Sequence, residues 1–180
     1  MRSVVLVLLT LLGCAREDRA KPPATPAKTA VRVPASAETA LLAGGCFWGM
    51  EEILRKIPGV VDTEVGYVAG AEAVQVVFDP AVVSYATLLE RWYFRMHDPT
   101  TKHRQGNDVG SQYRSAIFYL NDAQRETAED VKERVEASGQ WKAPIVTEIV
   151  AATEFTVGEA YHQDFLQRDP DGYTCHYLRD

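Results

Sequence analysis

Cysteine is scarce in this 180-residue chain, which has three: Cys14, Cys46 and Cys175. No two of them lie at metal-ligand spacing, and Cys175-His176 are adjacent without a second such pair, so no metal site is expected. Positive charge is short as well. Residues 38–180 hold thirteen Lys or Arg against twenty-three Asp or Glu, a net of minus ten. A domain so acidic lacks the cationic face that phosphate contacts need, which excludes nucleic acid as a partner. Also missing is any apolar run long enough to cross a bilayer as a permanent helix, and no internal repeat is visible.

The first segment reads as an address. Met1-Arg2-Ser3 supplies a positive charge and V-V-L-V-L-L-T-L-L an apolar run, the pattern of a signal peptide over 1–13. The run ends in Leu11-Leu12-Gly13-Cys14, which resembles the bacterial lipoprotein box, with Cys14 as the lipidated residue; the plainer alternative is a secretory peptide with a stray cysteine. Residues 14–37 hold five Lys or Arg against two acids, and four of the chain's nine prolines lie there without periodicity. That composition describes a flexible, extended tether. The expected location is therefore extracytoplasmic, lipid-anchored to a bacterial membrane and facing the periplasm in a Gram-negative cell. The membrane is reached through the lipid alone.

From residue 38 onward, element types are mixed. Residues 39–43 form a strand candidate leading into Gly44-Gly45. Met50, Ile53, Leu54 and Ile57 then recur at helical spacing, with Glu51, Glu52, Arg55 and Lys56 on the opposite face as two i,i+4 pairs. Pro58-Gly59 stops that helix. V-V-D-T-E-V-G-Y and A-V-Q-V-V-F-D are two extended segments joined too tightly for a crossover helix. Ser84 caps a helix containing Leu88, Leu89, Trp92 and Met96 that ends before Asp98-Pro99, where His97 can cap the helix end. S-A-I-F-Y-L is a strand, Asn121 starts a charged helix ending near Gly139, and I-V-T-E-I-V is another strand. Thr156 with Glu159 makes a capping box for a last helix through Phe165. The tail, from about residue 169, reads as flexible. These elements predict an α+β fold, a two-layer sandwich of a mixed sheet with a ferredoxin-like plait core packed by helices.

Cys46 is the residue that invites chemistry. A free thiol ionises with a pKa of about 8.5, and its thiolate is the nucleophile. At a helix N-terminus, unpaired N–H groups and the macrodipole favour the anion, so a lowered pKa is expected. The glycine pair lets the backbone turn sharply out of the strand. Phe47 and Trp48 supply rings beside the sulfur. The bland alternative is a buried structural cysteine followed by core aromatics.

G-G-C-F-W-G-M-E at 44–51, G-Y at 66–67, A-E-A-V at 71–74, F-D-P at 78–80, H-D-P-T at 97–100, Q-G-N-D-V-G-S-Q-Y-R-S at 105–115 and A-Y-H-Q at 160–163 together resemble the peptide-methionine (S)-S-oxide reductases. The likeness covers nearly all of the domain from about Leu41, in the family's order. It implies reduction of methionine S-sulfoxide, free or in proteins, without a cofactor. The thiolate matching Cys46 attacks the sulfoxide sulfur, oxygen passes to the cysteine as sulfenic acid, and methionine leaves. Glu72 matches the acid that protonates that oxygen, a role requiring a raised pKa. Tyr67, Asp108 and Tyr113 match positions that hydrogen-bond the oxygen, and Phe47 and Trp48 match the pocket for the substrate methyl. His162 has a counterpart that reads as structural. Between Tyr67 and Glu72 only Val68-Ala69-Gly70-Ala71 stand where the family commonly carries a longer loop, so a more open pocket and less cover for Glu72 are expected.

With one cysteine lipidated and one attacking, Cys175 is left to condense with the Cys46 sulfenic acid to a disulfide; a free tail thiol or a permanent disulfide are the alternatives. By the resemblance, thioredoxin or a thioredoxin-like donor then reduces that disulfide. The protein is expected to act as a monomer. Two other functions fit parts of the sequence: a different cysteine-nucleophile enzyme such as a hydrolase, which needs a base beside Cys46, and a non-catalytic lipoprotein that binds a partner.

Overall fold

The structure, a computed structural model, describes residues 33–180. The signal segment, Cys14 and most of the tether lie outside the described residues. The domain opens with β1 (Glu38–Gly44), which is buried on both faces. Ala40 and Leu42 enter the main core with Val74, Val76 and Leu54, while Leu41 and Ala43 point the other way and pack with Ala73, Ala116 and Phe118. This is the two-residue alternation of a strand at the centre of a sheet covered on both sides.

After β1 the chain turns at Gly45, where φ is +113°, into α1 (Phe47–Leu54). It returns as the hairpin β2 (Val60–Val68) and β3 (Ala71–Phe78). The turn is two residues long: Ala69 and Gly70 both have positive φ, 47° and 74°. Such a turn matches the twist of the flanking strands and sets Tyr67 opposite Glu72. α2 (Tyr85–Leu88) begins at Ser84, whose Oγ accepts from the Thr87 amide, as expected. It continues through a π-helical turn (Leu89–Tyr93) into α3 (Phe94–Met96). A small ribbon, β4 (Arg104–Gln105) with β5 (Asp108–Val109), precedes β6 (Ser115–Tyr119). α4 (Asp122–Ala137), capped by Asn121, then β7 (Glu148–Ala151), β8 (Phe155–Val157) and α5 (Phe165–Arg168) complete the order.

The main sheet runs β7-β6-β1-β3-β2-β8, antiparallel throughout except for β6 with β7. It is the α+β arrangement of a mixed sheet layered with helices. β1 lies inside the sheet, so its C-terminal end delivers Cys46 to a place framed by β3 and β6.

A buried polar network fixes that end. Tyr93, at the close of the π turn, donates to the Ala43 carbonyl at 2.8 Å and lies 3.1 Å from Ser115 Oγ. His97 bonds the Tyr93 carbonyl through Nδ1 at 2.8 Å, capping the helix end as expected, and Ser115 Oγ through Nε2 at 2.8 Å. A carbonyl only accepts, so Nδ1 carries the proton. Burial holds the ring neutral by pushing its pKa down to about 3. The ring also lies against Gly44, where an added Cβ would come within 3.0 Å of it.

Three local expectations are corrected. Glu51 is not on a solvated face: it is 1% exposed, bridged to Arg55 at 2.8 Å, and accepts from the Asp164 amide at 3.0 Å. The helix ends at Leu54, before Ile57, and the Glu51–Arg55 pair is folded under α5, while Lys56, paired with Glu52, faces water. Thr156 does not open a helix but lies in β8 opposite Tyr67, and α5 starts only at Phe165. The free edge of β2 took the segment as a strand, because bare Gly66 admits the Phe155 ring and the Thr156 backbone where any side chain would collide. The tail from residue 169 carries no helix or strand, yet Arg179 bonds the Arg95 carbonyl at 3.0 and 3.2 Å and His176 is buried.

Candidate active site

Cys46 occupies the N-cap of α1, in the turn that links β1 to the helix. Its thiol is 6% exposed, and burial pushes its pKa up to about 12. The Trp48 amide opposes this, while the charges of Glu72, Asp108 and Cys175 add to it. The low pKa expected of a helix start is thus corrected. A helix terminus is worth roughly 0.3–1 kcal/mol to an anion, whereas a rise from 9.0 to about 12 corresponds to about 4 kcal/mol. Desolvation beneath the β1–α1 turn wins, and the resting sulfur is a thiol.

Glu72 reaches this thiol's neighbourhood from β3. Its Oε2 accepts from the Phe47 amide at 3.1 Å, one residue beyond Cys46. Burial pushes its pKa up to about 7, the Phe47 amide pulls it down, and Asp108 pushes it up. The short β2–β3 turn has therefore not left the carboxyl fully solvated. Arg114 holds that turn closed: its guanidinium donates to the Ala69 carbonyl at 2.9 Å, to Ser111 O at 3.0 Å and to Glu148 at 3.3 Å. One side chain thus ties the hairpin tip to the 3₁₀ turn that carries Tyr113 (Ser111–Tyr113) and to β7.

Asp108 comes from β5 and Tyr113 from that 3₁₀ turn. The Tyr113 phenol is raised by burial, then by Glu72 and Asp108, with a further contribution from Cys46, so it lies within electrostatic reach of the same cluster. Tyr67, across the hairpin from Glu72, donates to Glu159 Oε2 at 3.0 Å. Burial, then that bond, raises its pKa to about 12. Phe47 is buried, with its ring 5.7 Å from Tyr67 and 5.1 Å from His162. Trp48 stacks on Phe165 at 3.8 Å and donates its indole N–H to His162 Nδ1 at 3.1 Å. The structural duty read for His162 is this: it orients the Trp48 ring.

The tail returns to the same place. Burial, followed by hydrogen bonding to Asp108, raises Cys175 to about 11. Its Sγ lies 3.5 Å from His176 Nδ1, and His176 Nε2 lies 2.9 Å from the Gly44 carbonyl. Glycines form the seat: a Cβ on Gly45 would come within 3.0 Å of the His176 ring, one on Gly49 within 2.7 Å, and one on Gly106 within 3.1 Å of Cys175 Cβ.

Cys46, Glu72, Asp108, Tyr113 and Cys175 are therefore gathered around one point from β1–α1, β3, β5, the 3₁₀ turn and the tail. Phe47, Trp48 and Tyr67 form an adjoining aromatic group with His162. Sequence reasoning missed three residues. Tyr173, raised by burial and then by Cys175 and Asp108, stands beside the thiols. Glu159 partners Tyr67, and His176 anchors the tail. Only the Tyr-Thr-Cys-His run hinted at the first and last, and nothing local pointed to Glu159. Among the described residues, no group of three or more His, Cys, Asp or Glu is arranged to hold a metal ion.

A buried thiol, a carboxyl group poised near neutrality and a second thiol held close by define a thiol-based redox site. The sequence model of the family described as peptide methionine sulfoxide reductase matches residues 38–71 and 69–180. A peptide methionine sulfoxide reductase of Mesorhizobium japonicum is 52% identical over 157 residues, covering 80% of this chain and 91% of that protein. One of Nocardia farcinica is 54% identical over 153 residues, covering 78% and 89%. The reduced form of Mxr1 from Saccharomyces cerevisiae superposes with a TM-score of 0.77 at 35% identity, over 83% of this chain and 97% of that one. The same yeast protein in complex with Trx2 gives a TM-score of 0.62 at 32% identity, over 85% and 97%. The chain belongs to the peptide methionine sulfoxide reductase family.

Proposed function

We propose that this protein is a peptide-methionine (S)-S-oxide reductase that uses Cys46 as oxygen acceptor and Glu72 as the proton carrier between thiol and substrate. The observation that carries the reading is the Phe47 amide. It follows Cys46 in the chain and donates to Glu72, which sets a carboxyl with a pKa of about 7 in the neighbourhood of a thiol whose pKa is about 12. Because the resting sulfur is neutral, the thiol must shed its proton as it attacks. The Glu72 carboxylate takes that proton and delivers it to the sulfoxide oxygen. The Cys46 S–H bond breaks, a bond to the oxygen forms, and the substrate S–O bond breaks. Cys46 ends as the sulfenic acid, methionine departs, and Glu72 is a carboxylate again.

Phe47 and Trp48 receive the substrate methyl group, while Tyr67 and Tyr113, together with Asp108, hold the oxygen. Cys175 then condenses with the sulfenic acid, giving a disulfide and water. A thioredoxin-like donor reduces the disulfide, a reading that the yeast Mxr1–Trx2 complex supports. The family match over residues 38–71 and 69–180 favours the reductase over a hydrolase. Incubation of the purified protein with dithiothreitol and each methyl sulfoxide epimer tests the proposal. Turnover of S but not R, abolished by Cys46→Ser, is expected; no turnover of S sinks it.

The remaining readings concern place and architecture. The signal segment and Cys14 support a lipid-anchored, extracytoplasmic enzyme on a tether, which we take to act as a monomer. Retention of a Cys14→Ala variant in the membrane fraction counts against the anchor. The inner strand order β6-β1-β3-β2, with helices after β1 and β3, supports a ferredoxin-like plait as the core.

A further inference from the structure

We infer that His176 is the general base of the second half-reaction, taking the Cys175 thiol proton as that sulfur attacks the Cys46 sulfenic acid. The inference deepens the reading of Cys175 as resolving cysteine and rests on it.

The argument begins with the tautomer. His176 Nε2 lies 2.9 Å from the Gly44 carbonyl, which can only accept, so Nε2 carries the hydrogen. Burial pushes the imidazole pKa down to about 4, so the ring is neutral and Nδ1 holds a free lone pair. That lone pair lies 3.5 Å from Cys175 Sγ. The thiol hydrogen therefore has two acceptors within reach: the Asp108 carboxylate, whose bond helps hold the thiol protonated, and this imidazole, which is itself oriented by a third group. Nucleophile, base and orienter stand in the order that activates thiols and hydroxyls generally. The third group here is the backbone at the end of β1, one residue short of Gly45 and two short of Cys46. The strand that positions the sulfenic acid thus also aims the base at its attacker.

A neutral thiol needs this help, since the buried Cys175 ionises only at about 11. During attack the Cys175 S–H bond breaks and its proton passes to Nδ1. The Cys175–Cys46 S–S bond forms, and the Cys46 S–O bond breaks. The departing hydroxide becomes water with the proton that His176 returns through solvent. Cys175 sulfur is oxidised and Cys46 sulfur is reduced, with no outside reagent. The imidazolium that exists in passing is favoured by Asp108 and by the Gly44 carbonyl, and opposed by Arg179. His97, at the end of α3, is itself held down by burial and then by this ring.

The test is single turnover with one equivalent of methionine S-sulfoxide, following methionine release, sulfenic acid trapping and the Cys46–Cys175 disulfide separately. His176→Gln suits it because the glutamine amide can still donate to Gly44 while offering no base. Methionine release should be unchanged. Disulfide formation should slow by roughly 10²-fold or more, as expected for loss of a positioned base. It should then climb about tenfold per pH unit as the thiol ionises unaided, whereas the wild-type rate stays nearly flat from pH 6 to 9. Disulfide formation at the wild-type rate in the variant overturns the proposal. So does slowing with an unaltered pH profile, which indicates that His176 only seats the tail. If the wild-type sulfenic acid survives as long as it does in Cys175→Ser, the resolving role of Cys175 fails instead, a different and separable result.

Discussion

The proton route from Cys46 to the sulfoxide makes a prediction opposite to the one a simple acid catalyst makes. If Glu72 had only to remain protonated, methionine release would fall as pH rises through about 7. In the structure the thiol is the weaker acid of the pair by a wide margin, about 12 against about 7. Between those values the pair holds one proton, and that one-proton form is the reactive one, since it converts to thiolate and carboxylic acid by an internal shift. Below about pH 7 a second proton loads Glu72 and blocks the shift. Methionine release in a single turnover should therefore rise from pH 5 to about 7 and stay level to pH 9. Removing the relay by Glu72→Gln leaves the thiol to ionise alone. At pH 7, a pKa of about 12 leaves a thiolate fraction on the order of 10⁻⁵, less severe once the Glu72 charge no longer opposes ionisation. The variant should lose about 10²–10⁴-fold at pH 7 and recover about tenfold per pH unit, closing on the wild type as pH rises. Rapid-quench measurement of methionine across pH 5–9 checks both curves. A wild-type rate that declines through pH 7, or a Glu72→Gln rate within twofold of wild type, refutes the relay.

The same carboxyl should show in stability. Its folded pKa lies above its ordinary 4.5, so the favourable protonated state is fully available below 4.5, and its contribution is lost as pH rises through about 7. Urea unfolding at pH 8 should find Glu72→Gln more stable than wild type by about 1–2 kcal/mol, the full displacement of roughly 3 kcal/mol being cut by partial solvent contact. The difference should vanish near pH 4. Gly49→Ala should unseat the tail, because the new methyl meets Thr174 and the His176 ring; methionine release should persist while the Cys46–Cys175 disulfide forms at least tenfold more slowly by non-reducing mass analysis. Glu51→Ala should cost about 1–3 kcal/mol in urea unfolding by removing the acceptor of the Asp164 amide, while Arg55 keeps Glu52 and Asp164, and a loss under about 0.5 kcal/mol contradicts the burial assigned to Glu51.

Much of the element order was legible because its signals are local. Ser84 and Asn121 declare themselves as caps, the runs at 60–67 and 73–79 read as extended segments joined by a short link, and Gly44-Gly45 marks the turn that presents Cys46. What failed was decided by partners distant in sequence. Thr156-x-x-Glu159 satisfies the local rule for a helix start, but the exposed edge of β2 offered backbone hydrogen bonds over a bare Gly66, and the strand won. Glu51 fits a solvated i,i+4 face until α5 folds over it and brings the Asp164 amide. The Cys46 thiol illustrates the same limit at the site. Its place at the head of a helix could be read along the chain, whereas its burial comes from elements more than twenty residues away, and the burial sets its protonation.

The short hairpin shows where a local reading of the site stops and a physical account resumes. Four residues between Tyr67 and Glu72 suggested a more open pocket and less cover for the carboxyl. The turn is instead the tightest that a hairpin allows, which holds Glu72 directly opposite Tyr67 and leaves no slack for it to swing into water. Arg114 then does what a longer loop would otherwise do, binding the Ala69 carbonyl and the Ser111 carbonyl so that the hairpin tip beside Glu72 and the turn that carries Tyr113 are tied to one side chain. Cover by chain length has been exchanged for cover by a clamp, and the clamp is a single guanidinium. It follows that Arg114→Lys, which keeps the charge but cannot span three acceptors at once, should lower the rate of methionine release and shift the pH at which it levels off downward, toward the ordinary carboxyl range. If that midpoint stays near 7 in the lysine variant, the desolvation of Glu72 is set by α1 and β3 alone.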